Sequence, residues 1–233
     1  MLYDGGTVSD VVLSDLVIEC TRRDWFWWGD GEPFYFDVRP RSELDERLRR
    51  PDEPPAGAIH DVTIRGVIAR GTGGCVFAGH ATRPLERLTI DGLELHLACD
   101  PRAPYERTEH AVTLRNARDV TMRGLRVHWE EPRSPTWRSA LSVAAVEELL
   151  VDGFRGAPAD PAAPAVALRD VAGVLLRGCR AVDGTGEFLH VSGASSRDVQ
   201  LLANDLRAAQ RSFGTDADAT GAVRSLGDLL RVP

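Results

Sequence analysis

One short pattern of apolar and polar positions recurs along this chain: apolar-x-apolar-x-Gly-apolar-x-apolar, with the glycine site filled loosely. Copies begin at Val11, Val62, Leu88, Val120, Leu149, Val174 and Val199, in steps of 51, 26, 32, 29, 25 and 25 residues. The first and third positions alternate as in a strand with one buried face. Alternation resumes at the sixth and eighth positions, so the phase slips by one residue between them. Such a slip needs a sharp backbone corner. The fifth position holds Gly66, Gly92, Gly124, Gly153 and Gly178, with Asp15 in the first copy and Ala203, followed by Asn204, in the last. Glycine, and less readily Asp or Asn, tolerates a left-handed corner.

A second apolar strand precedes most copies, as in Cys75-Val76-Phe77, Val112-Thr113-Leu114, Leu141-Ser142-Val143, Val166-Ala167-Leu168 and Phe188 to Val191. Three strands per unit at this period predict an all-β chain folded as a right-handed parallel β-helix, a solenoid. The Leu-x-x-Leu-x-Leu frame of a leucine-rich repeat is absent, and a β-sandwich would not lock a glycine to the strand phase.

The 51-residue step reads as one coil carrying an insertion at about residues 37–58. It holds a strand at Phe34-Tyr35-Phe36 and a polar loop from Arg39 to Ala56. Ser42 and Asp45, ahead of Pro51, predict a capped helical turn there. Long insertions on a solenoid project from one face and line grooves. Proline-rich stretches at 101–104, 132–135 and 158–164 read as smaller loops. After Leu206 the pattern stops. Ala222, Val223, Leu226, Leu229 and Leu230 then fall at helical spacing, which predicts a short C-terminal helix as cap. The expected organisation is coils over residues 1–206 and a tail with its capping helix over 207–233. At the other end Val11 opens a full coil directly. The expectation is that this uncapped N-terminal end docks an upstream segment or another subunit.

Composition narrows the function classes. Of 233 residues, 43% are hydrophobic and 27% charged, an ordinary globular balance. No apolar run approaches the ~18–20 residues of a membrane span, and Met1 to Asp10 lacks the basic start and apolar stretch of a secretory signal. The chain as given therefore reads as cytoplasmic, with no membrane partner. A net charge of −7, with arginines and acids interleaved, argues against nucleic acid as a partner. All 28 basic residues are arginine, which excludes lysine chemistry. Cys20, Cys75, Cys99 and Cys179 stand far apart and read as buried free thiols. Histidines at 60, 80, 96, 110, 128 and 190 show no ligand spacing, so neither a metal nor a cofactor is expected.

The segment Trp25-Phe26-Trp27-Trp28-Gly29-Asp30-Gly31-Glu32-Pro33-Phe34 is distinctive. Gly5-Gly6-Thr7-Val8 precedes it, and Gly57-Ala58-Ile59-His60-Asp61-Val62 follows it. This order resembles the C-terminal portion of bacterial members of glycoside hydrolase family 28, the polygalacturonase-like enzymes of pectin breakdown. The resemblance covers about Asp4 to Leu95 by motif and runs on to about Leu206 by coil pattern. It implies a pectin-lyase-like β-helix and inverting hydrolysis by carboxylates. The family's Asn-Thr-Asp, Asp-Asp, Gly-His-Gly and Arg-Ile-Lys motifs are absent, and Arg-Ile-Lys is impossible without lysine. Gly79-His80-Ala81 echoes one of them on the wrong side of the tryptophan loop. No catalytic residue is therefore carried over.

The substrate-binding candidates are Arg22, Arg23, Trp27, Trp28 and Glu32. Indole faces stack on sugar rings, and guanidinium groups pair with uronate carboxylates. Glu32 equally suits bracing the loop. The acid pairs Asp183/Glu187 and Glu130/Glu131 read as solvated surface groups, and Trp129 and Trp137 as packing residues. Two functions follow. One is the C-terminal part of a polygalacturonase-like hydrolase, not catalytic by itself. The other is a non-catalytic carbohydrate-binding or structural β-helix. The partner in either case is a polysaccharide or oligosaccharide containing uronate.

Overall fold

The computed structural model describes residues 2, 5–22, 29, 31–43, 46–48, 51, 54–100 and 108–231. Its strands are β1 (Thr7–Cys20), β2 (Tyr35–Asp37), β3 (Ala58–Gly71), β4 (Cys75–Ala78), β5 (Leu85–Leu97), β6 (Val112–Arg123) and β7 (Arg126–Trp129). They continue with β8 (Leu141–Asp152), β9 (Pro164–Arg177), β10 (Glu187–Ser192), β11 (Arg197–Leu202), β12 (Arg211–Thr215) and β13 (Val223–Leu226). Every strand pairing is parallel, and each coil pairs with the coils before and after it. The fold is the parallel β-helix that the repeat predicts.

Three faces run the length of the helix. The first stacks β2, β4, the opening halves of β6, β8 and β9, then β10 and β12. The second stacks the middles of the long strands, then β11 and β13. The third stacks the ends of β1, β3 and β5 with β7, and continues as single bridges through Arg155, Arg180, Asp205 and Leu229.

Alternation decides what lies inside. Val62, Leu88, Val120, Leu149, Val174 and Val199 share one register row on the second face, each at most 2% exposed. They are the first positions of successive repeats. Stacking like on like removes each side chain from water against the next coil, at about 25 cal/mol per Å² of apolar surface.

The fifth-position corner is left-handed in every coil. Its φ values include 56° at Asp15, 60° at Gly124, 71° at Gly153 and 52° at Ala203. A second left-handed column carries mostly charged residues: Asp10, Asp61, Arg87, Asp119, Glu148 and Asp198, at φ of 52° to 58°. Side chains brace it across coils. Arg87 donates from Nε and Nη2 to the two Asp61 oxygens at 2.6 and 2.8 Å. That bidentate pair holds the Asp61 carboxyl far below the usual range, with help from His60.

Two expectations need correction. Residues 222–230 are not a capping helix. Val223 to Leu230 is an eighth copy of the repeat, 24 residues after Val199, with Gly227 at its corner and Leu229 bridged to Asp205. Its third and sixth positions hold Ser225 and Asp228, so the apolar pattern fades and the remaining leucines mimic a helical period. The coils consequently run past residue 206, through β12 and β13. Within the insertion, two short 3₁₀ turns, Arg41–Glu43 and Glu46–Leu48, stand where one capped helical turn is predicted.

Among the described residues the N-terminal end is open: β1 pairs only with β3, and its inward Val11, Leu13, Leu16 and Ile18 are only partly buried. An apolar cavity of about 250 Å³ lies there, lined by Leu2, Val8, Val11, Leu13, Phe36 and Val62 among others.

Candidate functional site

Six outward positions on the first face, Tyr35, Val76, Thr113, Arg115, Ser142 and Ala144, form the floor of a groove of about 370 Å³. One register row reads Tyr35, Val76, Thr113, Ser142, Ala167, and the next reads Asp37, Ala78, Arg115, Ala144, Arg169, Ser192. Thr113, Ser142 and Ala144 keep the groove floor low around Arg115.

Two insertions raise the walls. The 51-residue step supplies Glu32 and Tyr35, and the 32-residue step supplies Thr108, Glu109 and His110. Tyr35 is fixed by its neighbours: its Oη donates to Asp37 Oδ2 and accepts from Arg39 Nη2, each at 3.3 Å. Burial, then the Asp37 charge, pushes the Tyr35 phenol up. On the opposite wall Thr136 Oγ1 donates to the Thr108 carbonyl at 2.9 Å. The Ser139 N–H donates to His110 Nδ1 at 3.2 Å. His110 Nδ1 is therefore an acceptor, and its Nε2 faces Glu109 Oε2 at 3.9 Å. Burial holds the His110 pKa below the ordinary imidazole value, which keeps the ring neutral at neutral pH. Gly74 permits this wall to close in: a Cβ there would sit 2.1 Å from the His110 carbonyl oxygen.

Arg115 rises from the floor. It is exposed and has no ion-pair partner among the described residues. Arg169 stands in the same row two coils on, with Ala144 between them; it is 74% exposed and reaches only Asp170, at 3.5 Å. The rows place the two arginine Cα positions about 10 Å apart, two strand spacings. Across the corner at Asn116 and Ala145, next in the chain to Arg115 and Ala144, lies a separate hollow of about 550 Å³, lined by Ala81, Thr82, Arg118, Glu147 and Asp170 among others.

The sequence candidates fall as follows. Glu32 lines the groove. Arg22 is 6% exposed, and its N–H donates to Thr72 Oγ1 at 3.0 Å. Arg23, Trp27 and Trp28 lie outside the described residues. His80 braces the insertion, with Nε2 2.8 Å from Glu43 Oε1. Trp129 and Trp137 pack on each other at a ring separation of 5.1 Å, and Trp129 Nε1 donates to the Ala157 carbonyl at 2.8 Å. Three of the four acids in those pairs have partners: Glu130 pairs with Arg70, Glu131 with Arg133, and Glu187 with Arg211 and the His190 ring. His110 and His190 are not neighbours, since β8 and β9 separate β6 from β10 on the first face. All four cysteines are free, and burial pushes the Cys75 and Cys179 thiols up to about 12, which keeps them unreactive. Arg115, Arg169 and the 108–110 wall were not singled out from sequence. The usable signal is register: Arg115 and Arg169 follow the inward Leu114 and Leu168, and so point outward.

Together these features define a parallel β-helix with a low-floored, arginine-bearing groove on one face. No protein-family model matches the chain, and no curated protein sequence matches it. Among solved structures, the Streptococcus pneumoniae surface protein and adhesin PfbA aligns over 99% of this chain and 77% of its own, at 8% identity and a TM-score of 0.36.

Proposed function

We propose that this chain is a non-catalytic β-helix protein that binds an acidic, uronate-containing polysaccharide along the first-face groove. The observation that carries the reading is the stretch Arg115, Ala144, Arg169 of one outward row: Arg115 and Ala144 line the groove, and Arg169 stands one coil beyond it. It sets two guanidinium groups on either side of a small residue, on the face where the fixed Tyr35 ring lines the same groove. Arginine pairs carboxylates in two-point fashion, and a phenol ring gives a sugar an apolar face with a polar edge. Two guanidinium groups about 10 Å apart suit a chain better than a single sugar.

Affinity electrophoresis through gels containing polygalacturonate or neutral dextran tests this. Retardation by polygalacturonate alone is expected, weakened about tenfold or more by Arg115→Ala with Arg169→Ala. Equal retardation in both gels, or no effect of the double change, overturns it. Descent from a polygalacturonase-like hydrolase is a second reading, favoured by the order of the Gly5-Gly6, Trp25-to-Pro33 and Gly57-to-Val62 motifs. Release of reducing ends by the chain, abolished by Glu32→Gln or Glu109→Gln, would place it above the binding reading.

We further infer that the apolar N-terminal end is covered in the working protein by a further coil or a second subunit. Partly bare Val11, Leu13, Leu16 and Ile18 support this. Light scattering is expected to show self-association that Leu13→Lys weakens; a strictly monomeric chain that binds no hydrophobic dye would overturn it.

A further inference from the structure

We propose that Glu94, His96 and His128, on the outer side of the third face, form a three-ligand site for a divalent transition-metal ion of the zinc class. The site is independent of the first-face groove. Stacking of coils creates it. Glu94 and His96 are alternate residues of β5 and share its outward side; β7 lies alongside, with His128 in register with His96. The two imidazoles stack with ring centres 4.6 Å apart and planes 15° apart. Both Nε2 atoms turn toward one carboxylate oxygen: Glu94 Oε1 lies 3.2 Å from His96 Nε2 and 3.6 Å from His128 Nε2. One ligand atom from each of the three residues falls within 4.8 Å of the others.

Tetrahedral zinc with bonds of about 2.0–2.1 Å places its ligand atoms about 3.3 Å apart. Two edges of that triangle already stand within a few tenths of an ångström of this value. The third requires the more exposed His128 ring to turn out of the near-parallel stack, so that each Nε2 lone pair lies in its ring plane toward the ion. The donor set, two imidazole nitrogens and one carboxylate oxygen, suits zinc, copper or nickel over calcium or magnesium.

Neighbouring groups complete the case. Arg126 Nη1 lies 3.7 Å from Glu94 Oε2, which leaves Oε1 as the oxygen facing the imidazoles. His96 Nδ1 faces Glu130 Oε1 at 3.9 Å, and Glu130 is itself held by Arg70. A carboxylate behind a ligating histidine fixes the ring and raises its basicity. Three protein ligands leave the fourth tetrahedral position open to solvent, where water or a carboxylate from outside would bind.

Titration calorimetry of the full chain with zinc chloride tests the site, with cobalt absorption as a second readout. One equivalent of zinc and the visible bands of a tetrahedral nitrogen–oxygen cobalt site, without a thiolate band, are expected. His128→Ala and Glu94→Gln should each weaken binding about tenfold or more, and Glu130→Gln about tenfold through His96. His128 is 48% exposed, so its truncation should leave the metal-free melting curve in place. Absence of the cobalt bands overturns the proposal. So does a signal that survives His128→Ala, or one lost instead with His190→Ala, which would move the metal to Glu187, His190 and Asp216.

Discussion

At the N-terminal end of the solenoid the four inward positions of the repeat hold Val11, Leu13, Leu16 and Ile18; at the C-terminal end they hold Val223, Ser225, Asp228 and Leu230. The backbone is the same at both ends, with a left-handed corner at Asp15 in one and Gly227 in the other. The chemistry differs. Asp228 Oδ1 accepts from the Asn204 backbone N–H at 2.7 Å and from Asn204 Nδ2 at 2.8 Å. Its Oδ2 accepts from Ser225 Oγ at 2.6 Å. A further coil stacked there would bury a carboxylate that is already satisfied where it stands, so these polar groups disfavour stacking, although Leu230 in the same row is 44% exposed. The first coil contains no such stop. Its inward row is as apolar as the rows of the middle coils, and among the described residues it is only partly covered. A solenoid thus propagates for as long as its inward row stays apolar, and ends where one coil writes polar groups into that row and pairs them.

The largest expected effect sets a middle coil against the first. Phe154 is fully buried, with the Phe188 ring centre 6.1 Å away. Phe154→Ala should cost about 3–5 kcal/mol, because coils on both sides hold the cavity open. Leu13→Ala, at the partly bare end, should cost less, roughly 1–2 kcal/mol, since part of its surface is already wet. Urea denaturation of the two variants measures the contrast. Equal losses would show that the first coil is covered as fully as the middle ones, and the comparison between ends would fail.

The polar stop gives the next effect. Asn204 is 1% exposed and works in both directions: its Oδ1 accepts from the Cys179 N–H at 2.8 Å, and its Nδ2 donates to the Leu176 carbonyl at 3.0 Å as well as to Asp228. Asn204→Ala strands these buried partners and should cost about 2–3 kcal/mol. Hydrogen exchange would locate the loss in β11 and β13. A variant as stable as the parent would mean that water replaces the amide, and that the end is closed by something other than this network.

Much of this architecture is legible in the residues alone, because the repeat couples burial to position. The glycine corner, the alternation and the step length together define coil, face and inward row. The second left-handed column escaped, since Asp61 and Arg87 are ordinary surface residues until their side chains are seen bracing adjacent coils. The eighth coil escaped for the reason that makes it a stop: Ser225 and Asp228 erase the apolar signal. The groove was half legible. Glu32 belongs to the distinctive insertion, but Arg115 and the His110 wall acquire meaning only through register between coils. His96 and His128 are 32 residues apart in the chain, which equals the step between Leu88 and Val120. Read one repeat at a time they look scattered; read in register they are neighbours.

The smallest expected effect tests the corner column itself, and it opposes the C-terminal end to the middle once more. Ala203 occupies the corner at φ 52°, where neighbouring coils place glycine. A Cβ in the left-handed region costs about 1–2 kcal/mol, partly offset by the greater freedom that glycine loses on folding. Ala203→Gly should therefore stabilise the chain by about 0.5–1 kcal/mol. The reverse change in a middle coil, Gly124→Ala, meets open room, since its Cβ would find nothing nearer than 3.8 Å. Its cost then reports backbone strain alone, about 1 kcal/mol. Thermal melts of the two variants should shift in opposite directions by comparable amounts. If Ala203→Gly lowers the melting temperature, the alanine methyl contributes packing at that corner. The repeat's glycine would then mark close approach between coils rather than a left-handed backbone, and the shared geometry on which the two ends are compared would no longer hold.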